Sequence, residues 1–142
     1  MRFMVQVRAT RDSEAGKMPS AELIASMGKF NEEMMKAGVM LAGEGLHPSS
    51  KGARVSFSKT KPTVTNGPFT PPTELVAGFW LIQVSSKEEA IQWASRIPFT
   101  DGVVELRQVF EASDFPADIL PPDEAAREQA WRDEQQRRAT KP

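Results

Sequence analysis

One histidine stands in the sequence, His47, the only side chain among 142 whose ordinary pKa lies near neutrality. It follows Gly43, Glu44 and Gly45. In an extended strand, Gly43, Gly45 and His47 point to one face and Glu44 to the other. Two absent side chains beside an imidazole leave room for a small molecule, with His47 placed as its proton acceptor and Glu44 as a possible helper across a cleft. The same residues also describe a bulge or a tight strand crossing, with His47 closing a strand at Pro48. Arg8 can hold an anionic group through its guanidinium fork, or simply end an exposed strand. Phe79 and Trp80 straddle the most apolar segment, so one of them faces any cleft there and core packing explains both without a ligand. Arg8 and Trp80 are the candidate substrate contacts on these grounds.

Composition removes other chemistry. The absence of cysteine excludes a thiol nucleophile, a disulfide framework and an iron–sulfur cluster. A lone histidine cannot build a multi-histidine metal site within one chain, so no metal is expected. No phosphate loop, dinucleotide glycine fingerprint or serine-hydrolase elbow is present, and no cofactor is expected. Eighteen basic against nineteen acidic residues give a net charge of −1, which argues against nucleic acid as the main partner. No apolar run reaches the length of a membrane span and no signal-peptide core opens the chain, so the expectation is a cytoplasmic protein with no membrane partner.

The elements that must position these residues follow from periodicity. Phe3, Val5 and Val7 alternate with Arg2, Gln6 and Arg8, a half-buried strand, and the polar stretch 9–19 reads as a loop. Ser20 is an N-cap for a helix with Leu23, Met27, Phe30 and Met34 on one stripe, ended by Gly38. Met34, Met35 and Met40 read as gap-filling core residues. Residues 39–47 form a second strand, and 53–58 with 61–66 a β-hairpin. Residues 75–84 carry apolar side chains on both faces, so both should be covered. The serines at 85–86 cap a helix with Ala90, Ile91 and Ala94 inward, ending before Pro98. Residues 103–110 form the last strand, with Val104, Leu106 and Phe110 alternating. A proline-containing arm then leads to a polar helix over 123–138, with Glu128–Arg132, Asp133–Arg137 and Glu134–Arg138 at i,i+4 and Trp131 its only large apolar residue.

The order β-α-β, hairpin, β-α-β is a ferredoxin-like α+β plan with a hairpin inserted between its central strands. Two helices cover one sheet face. The other needs a partner, and a second copy of the chain in a two-fold dimer is the simplest one.

Four stretches resemble the YCII-related proteins, in particular the subgroup named for an Asp-Gly-Pro-Phe motif: Met27–Asn31 running into Ala37-Gly38-Val39, then Leu41–Pro48, Lys61–Phe69 and Glu74–Val84. Glu105–Phe115 resembles the family's usual last strand. The resemblance covers residues 1–115 as one α+β domain, with 116–142 an arm and helix outside the pattern. It implies a dimeric α+β barrel in which two such sheets face each other. Most members lack an assigned reaction; some relatives are thought to use a His–Asp pair, and at least one dehydrochlorinates a hydroxylated aromatic ring. The resemblance thus implies a small-molecule ligand near His47 and, if there is a reaction, cofactor-independent lyase- or isomerase-type acid/base chemistry. Glu74 is carried over as a pocket carboxylate assisting His47.

Asn66 stands where the motif has aspartate, so the chain reads Asn66-Gly67-Pro68-Phe69. An amide can orient a substrate but cannot take its proton, which makes Asn66 a binding rather than a catalytic candidate. Asn-Gly is also a favoured turn pair, because asparagine tolerates the left-handed region. The alternative reading is a non-catalytic binding or regulatory module, since members of this subgroup are often associated with extracytoplasmic-function sigma factors.

Overall fold

A computed structural model describes residues 1–140. The alternating N-terminal segment forms β1 (Arg2–Arg8), followed by a single turn of helix α1 (Arg11–Glu14) where only a loop is expected. Its cause is local: Thr10 accepts from the Ser13 amide while the Ser13 hydroxyl accepts from the Thr10 amide. Helix α2 (Ala21–Lys36) starts at Ser20, whose hydroxyl accepts the Leu23 amide at 3.1 Å, and stops where Gly38 takes φ +69°. Next come β2 (Met40–Gly45), the hairpin strands β3 (Ala53–Ser56) and β4 (Thr63–Asn66), and β5 (Val76–Gln83). Helix α3 (Lys87–Ser95) is capped by Ser86, and β6 (Val104–Gln108) and α4 (Pro122–Thr140) complete the chain. The last two residues of the expected 116–142 segment lie outside the described residues.

The main sheet has the antiparallel order β2-β5-β1-β6, the ferredoxin-like arrangement expected, and β3-β4 forms a separate two-stranded sheet. Phe3, Val5, Trp80, Ile82 and Val84 line one face and meet Phe30 and Met34 of α2 and Ala90 of α3. Phe30 stands edge-on to Trp80 at 5.8 Å and to Trp93 at 6.4 Å. Three expected core positions differ. Met35 and Ile91 are exposed: the expected stripe of α2 faces inward without Met35, and on α3 Trp93 takes the inward place. Phe110 is also exposed, beyond the strand end, with its ring 5.1 Å from that of Phe115 and tilted 38° to it.

Of the ion pairs expected along α4, Glu128–Arg132 (3.6 Å) and Glu134–Arg138 (2.9 Å) form. Trp131 is exposed. No helix among the described residues is long and apolar enough to cross a membrane.

Candidate functional site

Because Phe3, Val5, Trp80 and Ile82 point to the helices, the residues between them point to the second face of the sheet. The strand register then builds a row across all four strands: Glu44 lies opposite Phe79, Phe79 opposite Gln6, and Gln6 opposite Glu105. Directly paired side chains of this kind stand about 5 Å apart, so the row is continuous, with its two carboxylates on the outer strands about 14 Å apart. The next row is Ala42, Leu81, Met4 and Arg107. Arg8 joins the first row by donating to Glu105 at 2.7 Å, and Arg107 approaches the same carboxylate at 3.6 Å. An aromatic ring flanked by an amide, two carboxylates and guanidinium groups can bind a flat polar molecule through stacking and directed hydrogen bonds.

The Arg8 hydrogen bond, above all, holds the Glu105 carboxyl below the usual glutamate range; burial opposes it, and the charges of Arg8 and Arg107 add to the lowering. Glu89 is lowered as well, first by the Ser85 amide and then by the Ser85 hydroxyl. A carboxylate with a lowered folded pKa contributes stability that is complete above its unfolded value and is lost as pH falls through the folded one. Thermal melting followed from neutral pH into the acid range should therefore fall more gently with acid in Glu105→Gln than in the parent chain. Equal slopes would show that the Arg8 pair does not couple to folding.

Half of this second face has a roof. A cleft of about 550 Å³ lies between Arg2, Leu41, Ala42, Leu81 and Gln83 on one side and Gln129, Arg132, Asp133, Gln135 and Ala139 of α4 on the other. Glu111 ties helix to sheet, accepting from Arg2 Nε at 2.9 Å and from Arg132 at 3.4 Å. The expected second cover on the apolar strand is therefore supplied in part by the chain's own C-terminal helix. The half with Gln6, Arg8, Glu44, Phe79 and Glu105 does not border this cleft.

The sequence candidates fall in different places. Glu44 and Arg8 share the second face. His47 follows β2 by two residues at the same end of the sheet, exposed, and makes no hydrogen bond or ion pair among the described residues. Glu74 is exposed in a short turn, Pro72–Glu74, just ahead of β5. No described hydrogen bond or ion pair joins His47 to Glu44, Asn66 or Glu74. Trp80 is a correction: it is 6% exposed on the helix side, where its indole N–H donates to Asn31 Oδ1 at 2.9 Å, so it cannot contact a ligand on the second face. Phe79 is the aromatic residue of β5 that faces the second side of the sheet. The space expected beside Gly43 is also filled, since a Cβ there would stand 2.6 Å from Met40 Cε and 2.8 Å from Trp80 Cδ1; only Gly45 borders open space.

Asn66 ends β4 with its side chain exposed and its backbone outside the left-handed region, which no non-glycine residue among the described ones occupies. Instead the motif is fastened at its base. Glu14 accepts the Ser49 amide at 3.0 Å and the Ser49 hydroxyl, whose oxygen accepts the Phe69 amide at 2.8 Å. The Gly67 amide donates to Gly52 O at 2.9 Å, and Arg54 lies 4.0 Å over the Phe69 ring.

Sequence reasoning missed Glu105 and Gln6 as site residues. The signal was present in strand alternation: once Val104 and Leu106 face inward, Glu105 must face outward. Among the described residues no three metal-ligating side chains gather closely enough to hold a metal ion.

The family described as the YCII-related domain matches residues 1–113. Among solved structures, 5-chloro-2-hydroxyhydroquinone dehydrochlorinase from Burkholderia phenoliruptrix AC1100, in complex with 2,5-dihydroxybenzoquinone, is similar at 11% identity, covering 82% of this chain and 100% of that one with a TM-score of 0.42. No curated protein matches the chain.

Proposed function

The chain belongs to the YCII-related domain family, and from that premise we propose that it is a small-molecule-binding protein whose ligand lies on the second face of the sheet. The observation that carries this reading is the row Glu44–Phe79–Gln6–Glu105 with Arg8 beside it. Its chemistry suits a small flat ligand bearing hydroxyl or carboxylate groups: Phe79 stacks on the ring, Gln6 and Glu44 meet hydroxyls, and Arg8 meets an anionic substituent. In this reading the protein is a cytoplasmic member of the Asp-Gly-Pro-Phe subgroup, and a second copy covers the half of the face that α4 leaves open.

An amide NMR titration with phenols and aromatic carboxylates tests it. Shifts should cluster on Gln6, Glu44, Phe79 and Glu105, and Phe79→Ala should weaken binding about tenfold, as truncating a central aromatic anchor does. Shifts confined to α2 and α3, or binding indifferent to Phe79→Ala, would overturn the site.

Whether the bound molecule reacts turns on His47, with Glu44 or Glu74 assisting and Asn66 contributing at most a hydrogen bond. A His47→Ala variant that retains affinity for a confirmed substrate but loses turnover supports acid/base catalysis. One specific observation favours a purely binding or regulatory protein: the motif aspartate is an amide, Asn66, and among the described residues His47 has no carboxylate partner. Normal turnover by His47→Ala would remove His47 from the chemistry, and a ligand bound without turnover would establish the binding reading.

A further inference from the structure

Two surface segments carry opposite charge, and several charges on each form no ion pair among the described residues. From residue 46 to residue 73 the basic residues are Lys51, Arg54, Lys59 and Lys61, and there is no carboxylate. From 110 to 126 the acidic residues are Glu111, Asp114, Asp118, Asp123 and Glu124, and there is no lysine or arginine. Lys51, Lys59, Lys61, Asp118, Asp123 and Glu124 form no ion pair among the described residues. Both segments also expose apolar side chains: Val55, Phe57 (83%) and Val64 on the hairpin, Phe110, Phe115 and Ile119 (67%) on the arm. An isolated two-stranded hairpin with every strand residue exposed is marginal in water and gains stability from a surface laid against it.

The two segments leave the sheet at diagonally opposite corners. The hairpin follows β2 at Gly45, level with Gly78 and Val7 on one edge; the arm follows β6 at Gln108, level with Phe3 on the other edge. The sheet therefore holds them apart within one chain. A two-fold axis between two facing sheets, running along the other diagonal, brings each copy's hairpin to its partner's arm, twice in one closed assembly. The geometry points to a second copy of this chain as the hairpin's partner, with the basic, apolar hairpin of each copy docked on the acidic, apolar arm of the other. This inference rests on the reading that a second copy covers the sheet, and it specifies what fastens that copy: charge complementarity at the two ends, which fixes orientation and suppresses wrong pairings.

The test measures the dimer dissociation constant of the full chain by sedimentation. Because surface charges are screened over about 30 Å at 0.01 M salt and about 3 Å at 1 M, the dimer should weaken at least tenfold across that range. Lys59→Glu with Lys61→Glu should weaken it about tenfold at low salt, as should Asp118→Lys with Asp123→Lys. All four changes in one chain should restore affinity to within about threefold, because exchanging both charges preserves the attraction. These side chains are exposed, and unchanged circular dichroism will show that each variant folds. A dimer indifferent to salt and to both reversals overturns the docking while leaving the covered sheet intact. A monomer at every concentration overturns the covered sheet and the docking together. A quadruple variant that fails to recover shows that the two segments do not meet. A hairpin reversal that abolishes binding to duplex DNA without touching the dimer assigns the hairpin to a polyanion instead.

Discussion

Replacing Trp80 by alanine is expected to lower stability by about 3–5 kcal/mol, the range for truncating a large aromatic in a tight core. The ring lies among Phe30, Gly43 and Met40, with its N–H on Asn31, so the cavity would be large and Asn31 would lose its donor. Urea denaturation measures the loss. Trp80→Phe separates two contributions: it keeps much of the apolar area but not the hydrogen bond, and should cost about 1–2 kcal/mol. Ligand binding on the second face should survive Trp80→Phe, because the side chain stands on the other side of the sheet. A loss below about 1 kcal/mol in Trp80→Ala would mean that the ring is not packed as described.

The contrast with Phe79 shows how far the sequence could be read. Alternation alone says that neighbouring residues of β5 face opposite ways, and the strand's two-sided apolar character says that both faces are covered. Neither says which aromatic faces the helices. That choice is fixed by pairing with Phe3 and Val5, whose burial is a property of the assembled sheet. Gly43 was unreadable for a related reason: the register between β2 and β5 shifts between Met40 and Ala42, and this irregularity brings Gly43 opposite Trp80. Helices α2 and α3, by contrast, were legible nearly to their ends, since Ser20, Ser86 and Gly38 act within one turn of themselves. The placement of α4 was not legible, because a polar helix with Trp131 exposed has no apolar stripe to dictate its orientation. Glu111, shared between Arg2 and Arg132, ties it to the sheet, a long-range contact that no local pattern encodes.

The second large effect belongs to Gly67. A Cβ at this position would stand 1.8 Å from the Ser49 carbonyl oxygen and 2.7 Å from its carbon, both backbone atoms that cannot rotate away. Gly67→Ala must therefore displace the Pro48–Gly52 turn by more than an ångström or push the motif off it. Either movement strains the Gly67–Gly52 and Phe69–Ser49 hydrogen bonds, and with them the hold of Glu14 on the hairpin. The expected cost is about 2–3 kcal/mol, at the upper end of overpacking, read as a lower denaturation midpoint together with faster amide exchange at Gly67 and Phe69. Asn66→Asp, one residue earlier and exposed, should change stability by no more than about 0.5 kcal/mol. The two neighbours thus divide the motif between them: the glycine is demanded by the approach of another backbone, whereas the residue before it is left free of any packing requirement. If both substitutions proved equally mild, the Ser49 turn would have to be mobile enough to yield, and the hairpin would lose its fixed bearing on the sheet.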